Sequence, residues 1–163
     1  KIFSFDSFQG LPKSNLDHND PVWREKEFCG TLKEVIRNVS SYEISFEYIK
    51  GFYKDSLTRN LQRRMLKSPP SIIHIDVDLY SSTIEVLKWL DMISLPMAIY
   101  IFDDIWATGN HPDLGEQKAI MEYNSMPNNR GFLVESPLSM GSKTIYSFTL
   151  RDPLKDPFYS INE

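Results

Sequence analysis

The chain has 163 residues, of which 41% are hydrophobic and 25% charged, with a formal net charge of −4 and a pI near 5.4. That is enough chain for one domain with a proper core, and the acidic balance argues against nucleic acid or an anionic membrane as the main partner. No apolar run reaches bilayer length, no signal peptide opens the sequence, and the single Cys29 excludes an internal disulfide and a cysteine-based zinc site, so the reducing cytoplasm is the expected setting.

Taken in order, Lys1 to Phe5 (KIFSF) reads as a short strand that stops at Asp6, and the chain opens inside this run with Lys1 rather than Met, which implies residues upstream. Ser7 to about Gly30 is a polar loop punctuated by Pro12, Asn15, Asn19, Asp20 and Pro21, long enough to expect a functional role. Thr31 and Glu34 form a capping box that opens a helix with Leu32, Val35, Ile36 and Val39 on one apolar face. Ile44 to Ile49 reads as a strand and Gly51 as a turn. A helix follows from about Ser56 to Lys67, with Leu57, Leu61 and Met65 inward and Arg59, Arg63, Arg64 and Lys67 on a solvated face.

Pro69-Pro70 ends that helix. Ser71 to Val77 is an apolar, β-branched strand, and Ser82 with Glu85 caps a helix to about Met92 by the same S-x-x-E spacing. A strand from Met97 to Phe102 follows Pro96, and Asp113 with Glu116 caps a helix to about Asn124. Gly131 to Glu135 and Lys143 to Leu150 read as strands joined by a turn containing Pro137 and Gly141; residues 151–163, with Pro153 and Pro157, form a tail of little pattern. Strands alternating with helices predict an α/β protein with a Rossmann-like parallel sheet, closed by an antiparallel hairpin.

The chemistry gathers at two strand ends. Asp76 and Asp78 close the central strand, and Asp103 and Asp104 close the next. In an open α/β sheet ligands bind at that edge, and residues i and i+2 of a strand share a face. Carboxylates collected there repel one another unless a cation or protons intervene, and all-oxygen ligation suits Mg²⁺, Mn²⁺ or Ca²⁺. Asp6, ending the first strand, is placed to accept ribose hydroxyls. His74 reads as a hydrogen-bonded core residue, and His18 and His111 as loop surface residues. Trp23, Trp106 and Tyr53 are candidates for a substrate pocket, Trp89 for the core, and Cys29 has no companion that would mark a nucleophile.

Phe5-Asp6-Ser7-Phe8-Gln9-Gly10-Leu11-Pro12 resembles the "DSFEGLP" segment of the macrocin O-methyltransferase family, the TylF/MycF type. The similarity continues through Phe28-x-Gly30-Thr31, Ile49-Lys50-Gly51-Phe52-Tyr53-Lys54-Asp55-Ser56-Leu57, His74 to Thr83 and Phe102-Asp103-Asp104, and ends with Gly115, Ala119 and Glu122. The resemblance implies a class I methyltransferase using S-adenosylmethionine and Mg²⁺ on a sugar hydroxyl or another small-molecule acceptor. By the same resemblance Asp76, Asp103 and Asp104 hold the metal, Asp76 or Asp78 takes the acceptor's proton, and Asp6 with Ser7 binds the cofactor. One departure stands out: no G-x-G occurs, and the chain starts at what is the second strand of that fold. Lys1–Phe5 and Ser71–Val77 then flank the place of a missing first strand, to be filled from upstream or by another chain.

Two other readings compete. D-x-D at a strand end also fits haloacid-dehalogenase-type phosphoryl transfer, with Asp76 as nucleophile, Asp78 as acid and Lys88 as the only intervening lysine on offer. A D-x-D glycosyltransferase fits the Asp103-Asp104 pair less well. The third reading is a non-catalytic, truncated methyltransferase-like module, dimerising with a second copy through its exposed edge.

Overall fold

A computed structural model describes residues 1–109, 111–138 and 143–152. Its elements are β1 (Ile2–Asp6), α1 (Leu32–Val39), β2 (Phe46–Lys50), α2 (Tyr53–Ser56), α3 (Arg59–Met65), β3 (Ile72–Ile75), α4 (Tyr80–Leu90), β4 (Ile99–Phe102), α5 (Gly115–Ser125), β5 (Gly131–Glu135) and β6 (Thr144–Leu150). The alternation expected from the hydrophobic pattern is present, as is the closing antiparallel pair. Gly141 in its turn, and Pro153 and Pro157 in the tail, lie outside the described residues. No helix among the described residues is long and apolar enough to cross a membrane.

The strands form two sheets rather than one. β1 and β2 pair in parallel, Ile2 opposite Phe46 through Asp6 opposite Lys50. The second sheet has the order β3-β4-β6-β5, with β3 and β4 parallel and β6 antiparallel to both its neighbours. A parallel pair needs a crossover, and α4 supplies it between β3 and β4. Among the described residues no strand bridges β1 and β3, so the sheet is divided at the place where the resemblance puts its first strand.

Period-2 burial shows which face of the larger sheet is covered. Ile73, Ile75, Tyr100, Phe102, Leu133, Tyr146 and Phe148 point to α4 and α5, where Leu87, Ile93, Ala119, Ile120 and Tyr123 complete the core. Each large apolar side chain so buried contributes about 1.5–3 kcal/mol. On the other face Ile72 is 64% exposed, and Ile99 and Val134 are exposed with it. His74 shares that open side and is exposed, which corrects its assignment to the core. Asp91 fastens the far end of the layer. Its carboxylate accepts from the Tyr123 hydroxyl at 2.6 Å, the Arg130 amide at 2.9 Å and the Gly131 amide at 3.3 Å, tying the end of α4 to α5 and β5.

The capping signatures divide. Thr31 Oγ1 accepts from the Glu34 amide at 3.2 Å and Glu34 Oε2 accepts from the Thr31 amide at 3.0 Å, so α1 opens on the expected box. Its apolar face is only half covered, with Ile36 exposed. Ser82 and Glu85 do not cap α4. That helix starts at Tyr80, before the S-x-x-E spacing, and Ser82 is buried within its first turn. Asp113 and Glu116 do not cap α5 either, which begins at Gly115 behind Leu114 with no side-chain cap. The single helix expected from Ser56 to Lys67 is two, because Leu57 leaves the helical region (φ −79°, ψ 64°) and the Thr58 hydroxyl then caps α3 through the Leu61 amide.

Candidate active site

β3 ends at Ile75, and the chain runs through Asp76 and Val77 to a tight turn at Asp78. The Leu79 amide reaches back to the Val77 carbonyl at 2.6 Å, and Asp78 takes φ +61°. A γ-turn of this hand is rare and strained for a residue with a side chain. Here it turns the Asp78 carboxylate inward, 8% exposed, before α4 begins. At the neighbouring strand end the Asp103 amide donates to the Ile75 carbonyl at 3.1 Å, the last rung of the β3–β4 ladder. The next amide, Asp104, donates to Glu116 Oε2 at 3.1 Å.

These turns bring Asp76, Asp78 and Asp104 together, with a carboxylate oxygen of each within 4.8 Å of the others. A second group, with the same limit, is His74, Asp76 and Asp103. Asp103 is partnered already: Lys143 at the foot of β6 forms an ion pair with its Oδ1, and His74 Nε2 lies 4.0 Å from its Oδ2. Asp76 thus stands between Asp78 and Asp104 on one side and His74 and Asp103 on the other, with Asp78 the one buried member.

Burial, reinforced by the charge of Asp104, by a hydrogen bond to it and by the charge of Asp76, pushes Asp78 up to about 7. Asp104 is raised too, mainly by burial. Glu116, 1% exposed, rises to about 9, again first from burial and then from the charges of Asp104, Asp78 and Asp76. Burial raises the Tyr53 hydroxyl well above its usual range, and the charges of Asp6, Asp76 and Asp78 add to the effect. Hard oxygen donors held this close, with burial opposing their charge, form a donor set that fits a divalent cation such as Mg²⁺.

Asp6 and Ser7 lie at the end of β1. Asp6 Oδ1 accepts from the Phe8 amide at 2.6 Å, and the Ser7 hydroxyl donates to the Gly10 carbonyl at 3.2 Å, so Ser7 is engaged in shaping its own turn. The loop beyond is closed at its neck by the Leu11 amide on the Glu27 carbonyl and the Lys26 amide on the Leu11 carbonyl, each at 3.0 Å. Only glycine fits at Gly10, where φ is +76° and a Cβ would lie 2.4 Å from the Glu27 carbonyl oxygen. The loop is fastened over α4 by Asp17, whose Oδ1 accepts from the Ser81 amide at 3.2 Å. Beneath it a cavity of about 380 Å³ opens between Pro12, Asp17, Asp20, Trp23 and Leu79.

Trp23 therefore lines a pocket, as expected, and Trp89 is core. Trp106 is exposed, His18 bonds the Asn15 carbonyl at 2.6 Å, and His111 accepts from the Asp113 amide at 3.2 Å. Arg64 pairs with Glu47 on the outer surface, in keeping with a solvated basic face. Lys88 lies 3.6 Å from Glu122, which engages it away from the acidic edge.

Three residues at this edge and its covering loop had no part in the site expected from the sequence: Glu116, read there only as a cap, Lys143 and Asp17. Glu116 carried a legible signal, because it occupies the same helical stripe as Ala119, Ile120 and Tyr123. Lys143 and Asp17 arrive through tertiary folding and left no local trace.

The profile of macrocin-O-methyltransferase (TylF) matches residues 1–124. The chain belongs to the macrocin O-methyltransferase family. Two solved structures share its fold. The O-methyltransferase NovP has 21% identity and a TM-score of 0.63 over 90% of this chain and 59% of that one. CalS11, a calicheamicin methyltransferase, has 20% identity and a TM-score of 0.65 over 90% and 60%. The chain thus spans about 60% of the length of the solved structures it matches. No curated protein sequence matches it. The mixed α/β architecture, with parallel and antiparallel pairing, is the one expected for this family.

Proposed function

We propose that the chain carries the catalytic edge of an S-adenosylmethionine-dependent, Mg²⁺-assisted O-methyltransferase acting on a hydroxyl of a small molecule, a sugar or a glycosylated natural product. The observation that carries this is the convergence of Asp76, Asp78 and Asp104 at the strand-end edge of a macrocin O-methyltransferase family member. Residues 1–150 form the methyltransferase-like domain in this reading, and 151–163 a tail.

When bound, S-adenosylmethionine supplies an electrophilic methyl group and Mg²⁺ the Lewis acidity that eases ionisation of an acceptor hydroxyl. Asp76, Asp103 and Asp104 are the proposed metal ligands, and Asp103 must then exchange its Lys143 partner for the cation. Asp78, poised near neutrality by burial and its neighbours, is the proposed proton acceptor, with Asp76 its alternative. Asp6 keeps one carboxylate oxygen clear of the Phe8 amide for a cofactor hydroxyl. Ser7 supports the same turn. Tyr53, which opens α2, is a proposed wall of the substrate pocket. Much of the rate in such a transfer comes from orientation, which the γ-turn at Asp78 and the anchored loop serve. A further parallel strand between β1 and β3, from elsewhere in the protein or from another chain, is part of this proposal.

Calorimetric titration with S-adenosylhomocysteine, once with Mg²⁺ and once with EDTA, tests this. Binding that strengthens with Mg²⁺ and loses that dependence in Asp76→Asn and Asp104→Asn supports it. Absence of binding, with a strand added ahead of β1 as well, would leave the non-catalytic module, which the exposed Ile72, Ile99 and Val134 favour.

A further inference from the structure

We propose that Glu116 is a positioning residue of the acidic edge: its carboxyl oxygen replaces the lost strand partner of Asp104 and so sets where the Asp104 carboxylate stands. The inference rests on the reading of that edge as a cation and proton-transfer site. The β3–β4 ladder ends where the Asp103 amide meets the Ile75 carbonyl, and the Asp104 amide, one residue on, has no backbone partner. Glu116 Oε2 fills that place at 3.1 Å from the helix opposite.

The geometry is costly for folding alone. Glu116 is 1% exposed, and its second oxygen, Oε1, is buried without a hydrogen-bond partner. A buried, half-satisfied carboxyl group weakens a core that an apolar side chain of similar size would fill at less cost. What it provides in return is a rigid backbone under one of the clustered carboxylates, since an unpaired Asp104 amide would leave this turn free to shift.

The test compares Glu116→Gln, which keeps an oxygen for the amide, with Glu116→Leu and Glu116→Met, which do not. Amide hydrogen exchange at Asp104 is read in the metal-free chain, and Mg²⁺ affinity by calorimetry. Glu116→Gln is expected to keep both within about threefold of the parent. The apolar variants are expected to speed exchange at Asp104 and weaken Mg²⁺ binding by about tenfold each, the size of one lost hydrogen bond, with no loss of thermal stability. Protection at Asp104 unchanged in whichever apolar variant folds overturns the proposal. So would a general fall in stability shared by all three variants, because that marks a purely structural acid. If the parent binds no Mg²⁺ yet Asp104 protection still follows the residue at 116, the positioning stands and the cation reading fails.

Discussion

Asp78 shows how one residue couples backbone strain to chemistry. Its φ of +61° is imposed by the γ-turn, and its carboxylate is pressed among Asp104 and Asp76 with little water. A carboxyl raised from 3.8 to about 7 keeps its proton in the folded chain after the unfolded chain has released it. Folding stability from this group is therefore unimpaired below pH 4, falls as pH rises through that window, and is lowest above 7. Glu116, raised to about 9, extends the same trend into alkali. Thermal melts in EDTA should show Asp78→Asn stabilising the chain at pH 8 by about 1–3 kcal/mol and by less at pH 5. Equal effects at the two pH values would mean that the carboxylates are not packed against one another. Adding Mg²⁺ at pH 8 should recover stability in the parent and little in Asp78→Asn plus Asp104→Asn.

At the scale of elements, α1 and α4 contrast two ways of ending a helix. α1 carries its own cap, the Thr31–Glu34 box. α4 has no local cap and takes one from Asp17, far away in sequence, so a single hydrogen bond both satisfies the Ser81 amide and pins the loop over the cavity. Asp17→Ala should lower stability by about 1 kcal/mol, as for loss of an ordinary cap. It should also speed proteolysis between Pro12 and Glu25; an unchanged cleavage rate would show that the loop is held by other contacts. Gly10→Ala acts at the loop's neck, where positive φ and the Glu27 carbonyl both oppose a Cβ. A loss of about 1–3 kcal/mol is expected, measured by urea unfolding, and a neutral result would place the neck elsewhere.

For the molecule as a whole, the decisive feature is that the larger sheet is covered on one side. α4 and α5 bury Ile75 and Phe102, whereas Ile72, Ile99 and Val134 face outward. Ile75→Ala should cost about 2–5 kcal/mol, but Ile72→Lys and Ile99→Lys should change stability by less than about 0.5 kcal/mol and raise solubility. Losses at Ile72 or Ile99 comparable to that at Ile75 would reveal a partner, such as a second copy, seated on that face. Sedimentation of the parent and of these variants would then separate self-association from intrinsic stability.

Sequence alone made the order of most elements and the acidic strand ends legible. Hydrophobic period and turn residues are local, so strands ending in Asp76 and Asp103-Asp104 were legible, as were the box at Thr31 and the core place of Trp89. The family signature was legible for the same reason: it is written in contiguous segments. What only the tertiary structure decided was which groups meet. Two carboxylates at one strand end do not say that Asp78 meets Asp104 while Asp103 pairs with Lys143, because that depends on a γ-turn and on where β6 docks. Nor does a strand's apolar run say how many of its faces are covered, and so His74 turned outward. Glu116 had the look of a cap and proved to be a buried partner, since helix spacing fixes a residue's face but only packing decides what that face meets.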